Sequence, residues 1–230
     1  MSRDIYTKRI WELDFLRGLA VIFMIYFHLI FDLNEIMRLP ISYTTGFNYL
    51  SGRIAAYLFI IISGISCSFS RSNVKRGLKT LGCALAITLV SYFYNSQMTI
   101  YFGILHFFGV SFLLYPLINK VKIFLMPPFA MLFIIGRYLI SNVVVKHNYF
   151  SPIGIYNYSF SSADYYPLIP YLGYFILGVF LGKVLYKNKR SVVPKLTEDN
   201  FLNFVGRHSL IVYLLHQPVI LIVISIIQMI

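Results

Sequence analysis

The first apolar segment, FLRGLAVIFMIYFHLIFD at residues 15–32, carries three ionisable side chains. Arg17 lies near its start, and His28 and Asp32 lie near its end, one helical turn apart. Ionisable groups are costly inside apolar helices, so these residues are functional candidates. Histidine accepts protons near neutral pH and a carboxylate can fix its tautomer, so the pair predicts general-base chemistry. A proton relay in a transporter uses the same residue types, and this alternative stays open.

These side chains share one side of a helix. Arg17 and His28 are separated by about three turns, or roughly 16 Å of helical rise. Asp14 and Val21 belong to the same stripe, as does Asp32. Because a polar stripe is costly in lipid, we expect it to face the interior of a helix bundle.

Single polar residues interrupt three other apolar segments. His106, in FGILHFFG, lies either at a functional cavity or in a structural hydrogen bond to a neighbouring helix. Arg53 begins the second segment, where an ion pair with Asp32 and a functional role are both open. Arg137, in IIGRYLI, either extends its side chain to the membrane interface or faces a cavity.

The last apolar segment begins with GRHSLIVYLLHQP. Arg207 is expected at the membrane interface. His216 and Gln217 lie deeper, and Tyr213 shares a face with His216, which predicts a polar wall. Pro218 is predicted to break the helix there and free backbone carbonyls.

Composition excludes a soluble domain. Charged residues make up 12% of the 230 residues and hydrophobic residues 58%, whereas a soluble domain has roughly 25% charged residues. The net charge of +12 comes from short basic clusters between apolar runs, so no nucleic-acid partner is expected. Neither Cys67 nor Cys83 has metal-ligand spacing, and no phosphate loop or dinucleotide fingerprint occurs. We therefore expect no metal site and no permanently bound cofactor.

Apolar runs long enough to span a bilayer define the fold class. They lie near 15–33, 47–69, 78–95, 99–118, 123–141, 166–186 and 204–229. We predict one all-α transmembrane domain over residues 1–230, a bundle of about seven helices. Gly178 and Gly182 predict close helix packing in the sixth.

The direction of the helices follows from the basic residues. Lys and Arg gather at the N-terminus and in alternate connections: Arg3, Lys8 and Arg9; Arg71, Lys75, Arg76 and Lys79; Lys120 and Lys122; Lys183, Lys187, Lys189, Arg190 and Lys195. The remaining connections hold only Arg38 and Lys146. This asymmetry predicts a cytoplasmic N-terminus and an external C-terminus in a multi-pass plasma-membrane protein.

Several motifs together resemble a known family. LDFLRGLAVIFMIYFHLIFDLN, LFIIISGIS, FGILHFFG and GRHSLIVYLLHQP are similar to the heparan-alpha-glucosaminide N-acetyltransferase catalytic-domain family, particularly its short bacterial members. The motifs also resemble the acyltransferase family three membrane enzymes. That second resemblance rests on Arg17, Gly18, Ala20 and His28 of the first segment, with Phe59, Ser63 and Gly64 of the second.

The resemblance implies acyl transfer, usually of acetyl, from cytoplasmic acetyl-coenzyme A to a hydroxyl or amine of an extracytoplasmic sugar or glycan. It assigns function to Arg17 and His28. We expect the donor substrate near Arg17, Arg207 and Asp14. His28 is the expected base, oriented by Asp32, and His106 is the alternative base. The acceptor-side candidates are Arg53, Tyr101, Arg137, His216 and Gln217, and Tyr101 or His106 is a candidate for steadying the oxyanion.

The expected partners are acyl-coenzyme A, a sugar or glycan acceptor and the lipid bilayer. A homodimer is left open. The alternative function is a proton-linked transporter or flippase that uses the intramembrane histidines as a relay.

Overall fold

The computed structural model describes residues 10–193 and 200–229, and the regular elements of this part are helical. The helices are α1 (Trp11–Glu35), α2 (Gly46–Cys67), α3 (Asn73–Tyr94), α4 (Ile104–Ile118), α5 (Met126–Ile140), α6 (Leu168–Leu185), α7 (Phe201–Arg207) and α8 (Ser209–Met229). Short 3-10 turns lie at Ser96–Met98, Ile123–Leu125 and Asn148–Phe150. Four basic residues of the orientation pattern, Arg3, Lys8, Arg9 and Lys195, lie outside the described residues.

The all-α membrane fold is confirmed. Six helical segments of the described chain are long and apolar enough to cross a membrane, with α5 counted from Ile123, and α4 is a shorter apolar helix of 15 residues. Together they occupy the seven predicted segments. Residues 99–103 precede α4 rather than belonging to it, and the last segment divides into α7 and α8 at His208.

The predicted helix break at Pro218 is wrong. Helix α8 continues from Ser209 to Met229 with Pro218 inside it. A proline removes one backbone N–H, but apolar transmembrane helices tolerate this loss when neighbouring groups satisfy the freed carbonyl.

The chain forms two compact units. Unit 1 comprises Met1–Ile62 and Asn188–Ile230, and unit 2 comprises Ser63–Lys187. In unit 1, α1 packs against α7 and α8 around a buried cluster of Val21, Met24, Ala55 and Val205.

Helices α1 and α7 approach each other through two glycines. A Cβ at Gly18 would overlap the backbone carbonyl of Leu202, and a Cβ at Gly206 would overlap that of Asp14. Both obstacles are backbone, which cannot move aside as a flexible side chain can. Glycine is therefore required at both positions for this contact.

In unit 2, α3 packs on α4, and α5 on α6. Fully buried Phe107 and Phe175 meet with ring centroids 6.4 Å apart. The close packing predicted at Gly178 and Gly182 is confirmed. A Cβ at Gly182 would lie 2.9 Å from the Ile65 carbonyl, and the Gly178 Cα lies against Gly64.

Substituting either interface glycine tests this packing. Gly18→Ala or Gly206→Ala should lower the Tm of the detergent-purified protein by several degrees, because α7 must shift away from α1. The matched control is Gly82→Ala in α3, where no atom lies within 4 Å of the added carbon. The control should be neutral or slightly stabilising, since alanine favours helix by about 1 kcal/mol over glycine. An unchanged Tm in both interface variants would contradict the packing.

Candidate functional site

The predicted polar residues of α1 and α8 meet in unit 1. Asp32, in the last turns of α1, is 2% exposed, and its Oδ2 accepts a hydrogen bond of 2.7 Å from Gln217 Nε2 on α8. This contact joins side chains 185 residues apart in sequence. An acid buried among apolar helices needs such a donor, and Gln217 supplies it.

His28 lies beside His216. Their ring centroids are 4.9 Å apart and the ring planes are inclined by 55°. Among the described residues, no hydrogen bond joins His28 to Asp32, although they are one turn apart on α1. The neighbour of the His28 imidazole is thus a second imidazole, and the carboxylate is held by an amide.

The same cluster contains two buried atoms without partners. His216 Nδ1 lies within hydrogen-bonding distance of the Tyr213 carbonyl, whereas His216 Nε2 has no partner among the described residues. Gln217 Oε1, on the next residue, is in the same condition. Buried polar atoms are rarely left unsatisfied, and a bound water, a ligand or a catalytic role is the usual explanation of those that are.

Arg53 does not pair with Asp32. Its guanidinium bonds the hydroxyl groups of Tyr49, at 3.2 Å, and Tyr57, at 2.5 Å, on its own helix. It also lies over both rings, 5.6 and 5.1 Å from their centroids. The ion pair considered from the sequence is therefore wrong, because aromatic residues one turn away on each side satisfy the cation first.

At the other end of α1, Arg17 Nη1 forms an ion pair of 2.7 Å with Asp14 Oδ1. The approach of Gly206 to the Asp14 carbonyl brings the end of α7, and hence the backbone of Arg207, to this pair. Glu12, in the first turn of α1, accepts a 2.8 Å hydrogen bond from the Val192 amide. The three residues predicted to hold the donor substrate thus belong to one end of unit 1.

His106 has a different setting in unit 2. Its Nδ1 accepts a hydrogen bond of 3.2 Å from the Gly103 amide, and its Nε2 lies 3.2 Å from Thr88 Oγ1. The ring also stacks on Phe102 with centroids 5.7 Å apart. Both nitrogens are therefore used within the fold, which favours a structural role at the start of α4.

The long connection before α6 docks on the same region. Asp164 Oδ2 accepts a 2.9 Å hydrogen bond from the Ile104 amide in the first turn of α4. Ser162 accepts one of 3.1 Å from the Tyr101 amide, and the Tyr166 amide donates to the Phe102 carbonyl at 2.9 Å. This segment therefore closes the N-terminal end of α4.

Two acceptor-side candidates are exposed in the structure. Tyr101 is 50% exposed, with its ring 6.3 Å from that of Phe160. Arg137 lies in the last turn of α5, where a cation complements the helix dipole, and its exposure matches the interfacial alternative.

A comparison of the sequence with models of known protein families identifies the family of this chain. Residues 9–218 match the family model described as heparan-alpha-glucosaminide N-acetyltransferase, catalytic. The chain belongs to this family. No curated protein and no solved structure gives a significant match. Membership and the apolar helices together indicate a membrane acetyltransferase, and the resemblance read from the motifs is confirmed.

Sequence reasoning missed several contacts of this acetyltransferase. Thr88 has no motif around it, and its bond to His106 depends on how α3 packs on α4. Asp164 also lies outside the sequence motifs. The only signal in the sequence is a lone acid in a polar connection, which is weak evidence. A helix-capping role depends on the acid lying close to the helix end in space, and the sequence does not show this.

The pH dependence of stability tests the Asp164 contact. Burial raises the pKa of the Asp164 carboxyl to about 6, against the opposing hydrogen bond from Ile104. The folded protein therefore binds this proton more tightly than the unfolded chain does, and stability falls as pH rises from about 4 to about 6.

Asp164→Asn keeps an oxygen for the Ile104 amide and removes the titration, so its Tm should fall less than that of wild type over this range. Glu35→Gln, which also removes one carboxyl, should retain the wild-type dependence. Equal slopes for wild type and Asp164→Asn in a pH series of thermal melts would contradict the buried contact.

A second variant tests the structural role of His106. His106→Leu leaves the Gly103 amide without its partner, at a cost of about 1–3 kcal/mol, so the Tm should fall. It also removes the bond to Thr88, whose hydroxyl keeps its 2.7 Å bond to the Ile100 carbonyl. His147→Leu, at an exposed position of the connection between α5 and α6, is the control and should melt like wild type. A wild-type Tm combined with lost acetyl transfer would instead support His106 as the base.

Proposed function

We propose that this membrane acetyltransferase transfers acetyl from acetyl-coenzyme A to a hydroxyl or amine of a sugar, with His28 as general base. The observation that carries the proposal is the cluster of His28, Asp32, His216 and Gln217, in which two buried polar atoms have no partner among the described residues. The Gln217 carbonyl oxygen, one of these two atoms, suits a hydroxyl or amine donor of a sugar.

The reaction balances with the groups of this cluster. The acceptor oxygen or nitrogen forms a bond to the acetyl carbonyl carbon while His28 removes its proton. The carbon–sulfur bond breaks as the intermediate collapses, and the His28 imidazolium returns the proton to the departing thiolate. The products are the acetylated sugar and coenzyme A with a free thiol, and no further reactant is needed.

The donor substrate is polyanionic, which favours the Arg17 and Arg207 end of unit 1. The Asp14 carboxylate that pairs with Arg17 fixes the direction of the guanidinium, and a guanidinium is suited to binding phosphate oxygens. About 16 Å of helical rise separates Arg17 from His28, so an extended thiol-bearing arm must bridge the two ends. The basic-residue pattern places the donor end in the cytoplasm and the His28 end toward the outside of the plasma membrane.

Donor binding is tested by calorimetry with acetyl-coenzyme A and the detergent-purified protein. Arg17→Gln should weaken binding by about tenfold or more, since hydrogen bonds to charged groups contribute about 1.5–3 kcal/mol. Arg38→Gln is the matched control because Arg38 also pairs with an acid three residues earlier, at the opposite end of α1. The control should bind like wild type. Absence of binding by folded wild type would contradict the donor assignment and favour the transporter.

The base is tested with radiolabelled acetyl-coenzyme A and glucosamine or an α-glucosaminide as the acceptor probe. His28→Asn should lower the rate of transfer by about a hundredfold or more while donor binding persists, because general-base catalysis contributes about 10²–10⁴. His147→Asn is the control and should transfer acetyl at the wild-type rate. Substantial transfer by His28→Asn would exclude His28 as the base.

A further inference from the structure

We propose that His216 is the positioning residue of His28, with its Nε2 accepting a hydrogen bond from the His28 ring during acetyl transfer. This inference rests on the proposed function, and it assigns to a second histidine the orienting role that the sequence suggested for Asp32. The observations that support it are the two neighbouring rings, the bonded Nδ1 of His216 and its unpartnered Nε2.

The hydrogen bonds of His216 define its tautomer. A carbonyl oxygen only accepts, so the contact between Nδ1 and the Tyr213 carbonyl requires a proton on Nδ1. The neutral ring then carries its lone pair on Nε2. That nitrogen is buried and without a partner among the described residues, so it is an acceptor in need of a donor.

The two rings are close enough for such a bond. Two imidazoles joined by a hydrogen bond have ring centroids about 5 Å apart, given a separation of about 2.9 Å between the nitrogens. The observed centroid distance between His28 and His216 is 4.9 Å. The centroid distance therefore fits the proposed bond, which requires the His28 ring to turn about its own side-chain bonds until an N–H is directed at His216.

Asp32 acts on this arrangement through Gln217. The Asp32 carboxylate holds the Gln217 amide, and Gln217 directly follows His216 on α8. The buried bond therefore sets the position of α8 along α1, which places His216 opposite His28. The Asp32 carboxylate lies one turn beyond His28 and is already bonded to Gln217. It therefore positions His28 indirectly, through the placement of His216.

This arrangement accounts for every proton of the reaction. His28 takes the acceptor proton on one nitrogen and keeps the proton on the other nitrogen, which it donates as a hydrogen bond to His216 Nε2. The bond fixes the ring and favours the imidazolium. When the thiolate leaves, His28 returns the first proton to sulfur, and His216 ends with the same proton with which it began.

Nitrogen NMR tests the tautomer directly and needs no acceptor. The full chain, labelled with ¹⁵N-histidine and placed in lipid nanodiscs, contains five histidines that single substitutions can assign. His216 should show a protonated Nδ1 and an unprotonated Nε2, whereas His106 should show the opposite, since its Nδ1 accepts from Gly103. A protonated Nε2 on neutral His216 would overturn the proposal.

Two substitutions at His216 separate positioning from folding. His216→Asn places an amide N–H where Nδ1 bonds the Tyr213 carbonyl and removes Nε2. His216→Gln places an amide oxygen near the position of Nε2. The Asn variant should lose about 10- to 100-fold in kcat with an unchanged KM for acetyl-coenzyme A, the size of effect that small misplacements of a catalytic group produce. The Gln variant should recover part of that loss.

The matched control is His208→Asn. His208 also directs Nδ1 at a helical carbonyl, that of Phe204, but it is exposed. Its kcat should equal that of wild type. Equal rates for wild type and His216→Asn, or a Gln variant no better than the Asn variant at equal Tm, would overturn the proposal. If wild type bound acetyl-coenzyme A without acetylating the glucosamine probes, the sugar assignment would fail, and the NMR measurement would still decide the role of His216.

Discussion

The structure depends on one constraint, which is that a polar group inside an apolar helical protein must find its partner within the protein. Asp32 finds Gln217, Arg17 finds Asp14, and Arg53 finds two tyrosines. The pairs of Arg17 and Arg53 lie within single helices, whereas the Asp32–Gln217 bond joins α1 to α8. Because an unpartnered charge in hydrocarbon is far more costly than one at an aqueous surface, the Asp32–Gln217 bond restricts how α8 can lie on α1.

The same constraint distinguishes His106 from His216, two buried histidines that form hydrogen bonds. His106 has a partner at each ring nitrogen, so its hydrogen-bonding capacity is used by the fold. His216 has a partner at Nδ1 alone, and the adjacent Gln217 also retains an unpartnered oxygen. These two unsatisfied acceptors are on adjacent residues of α8, so this cluster has a place for hydrogen-bond donors. In our proposals one donor is the His28 ring, which bonds His216, and another is the hydroxyl or amine that receives the acetyl group.

Close backbone contact is the second requirement, and glycines meet it. Gly18 and Gly206 let α1 and α7 approach until backbone atoms touch, and Gly64 and Gly182 do the same in unit 2. Helices in a bilayer gain little from burying apolar surface against one another, so such contacts and the polar bonds provide much of the specificity. The Gly206 contact also brings Arg207 to the Asp14–Arg17 pair, which connects helix packing to the proposed donor site.

The sequence by itself determined the membrane class, the apolar segments, the family and the position of His28, because hydropathy and short motifs are properties of neighbouring residues. It located each polar side chain on its helix but left the contact of Arg53 open and mispredicted the effect of Pro218. It also named His216 and Gln217 without finding their partners. Only the tertiary structure decided that Asp32 bonds Gln217 and that His216 lies against His28. It also decided that Thr88 and Gly103 bond the two ring nitrogens of His106. Those contacts join residues on different helices or at a helix end, where the choice of partner depends on the packing of the whole bundle, which no local pattern encodes.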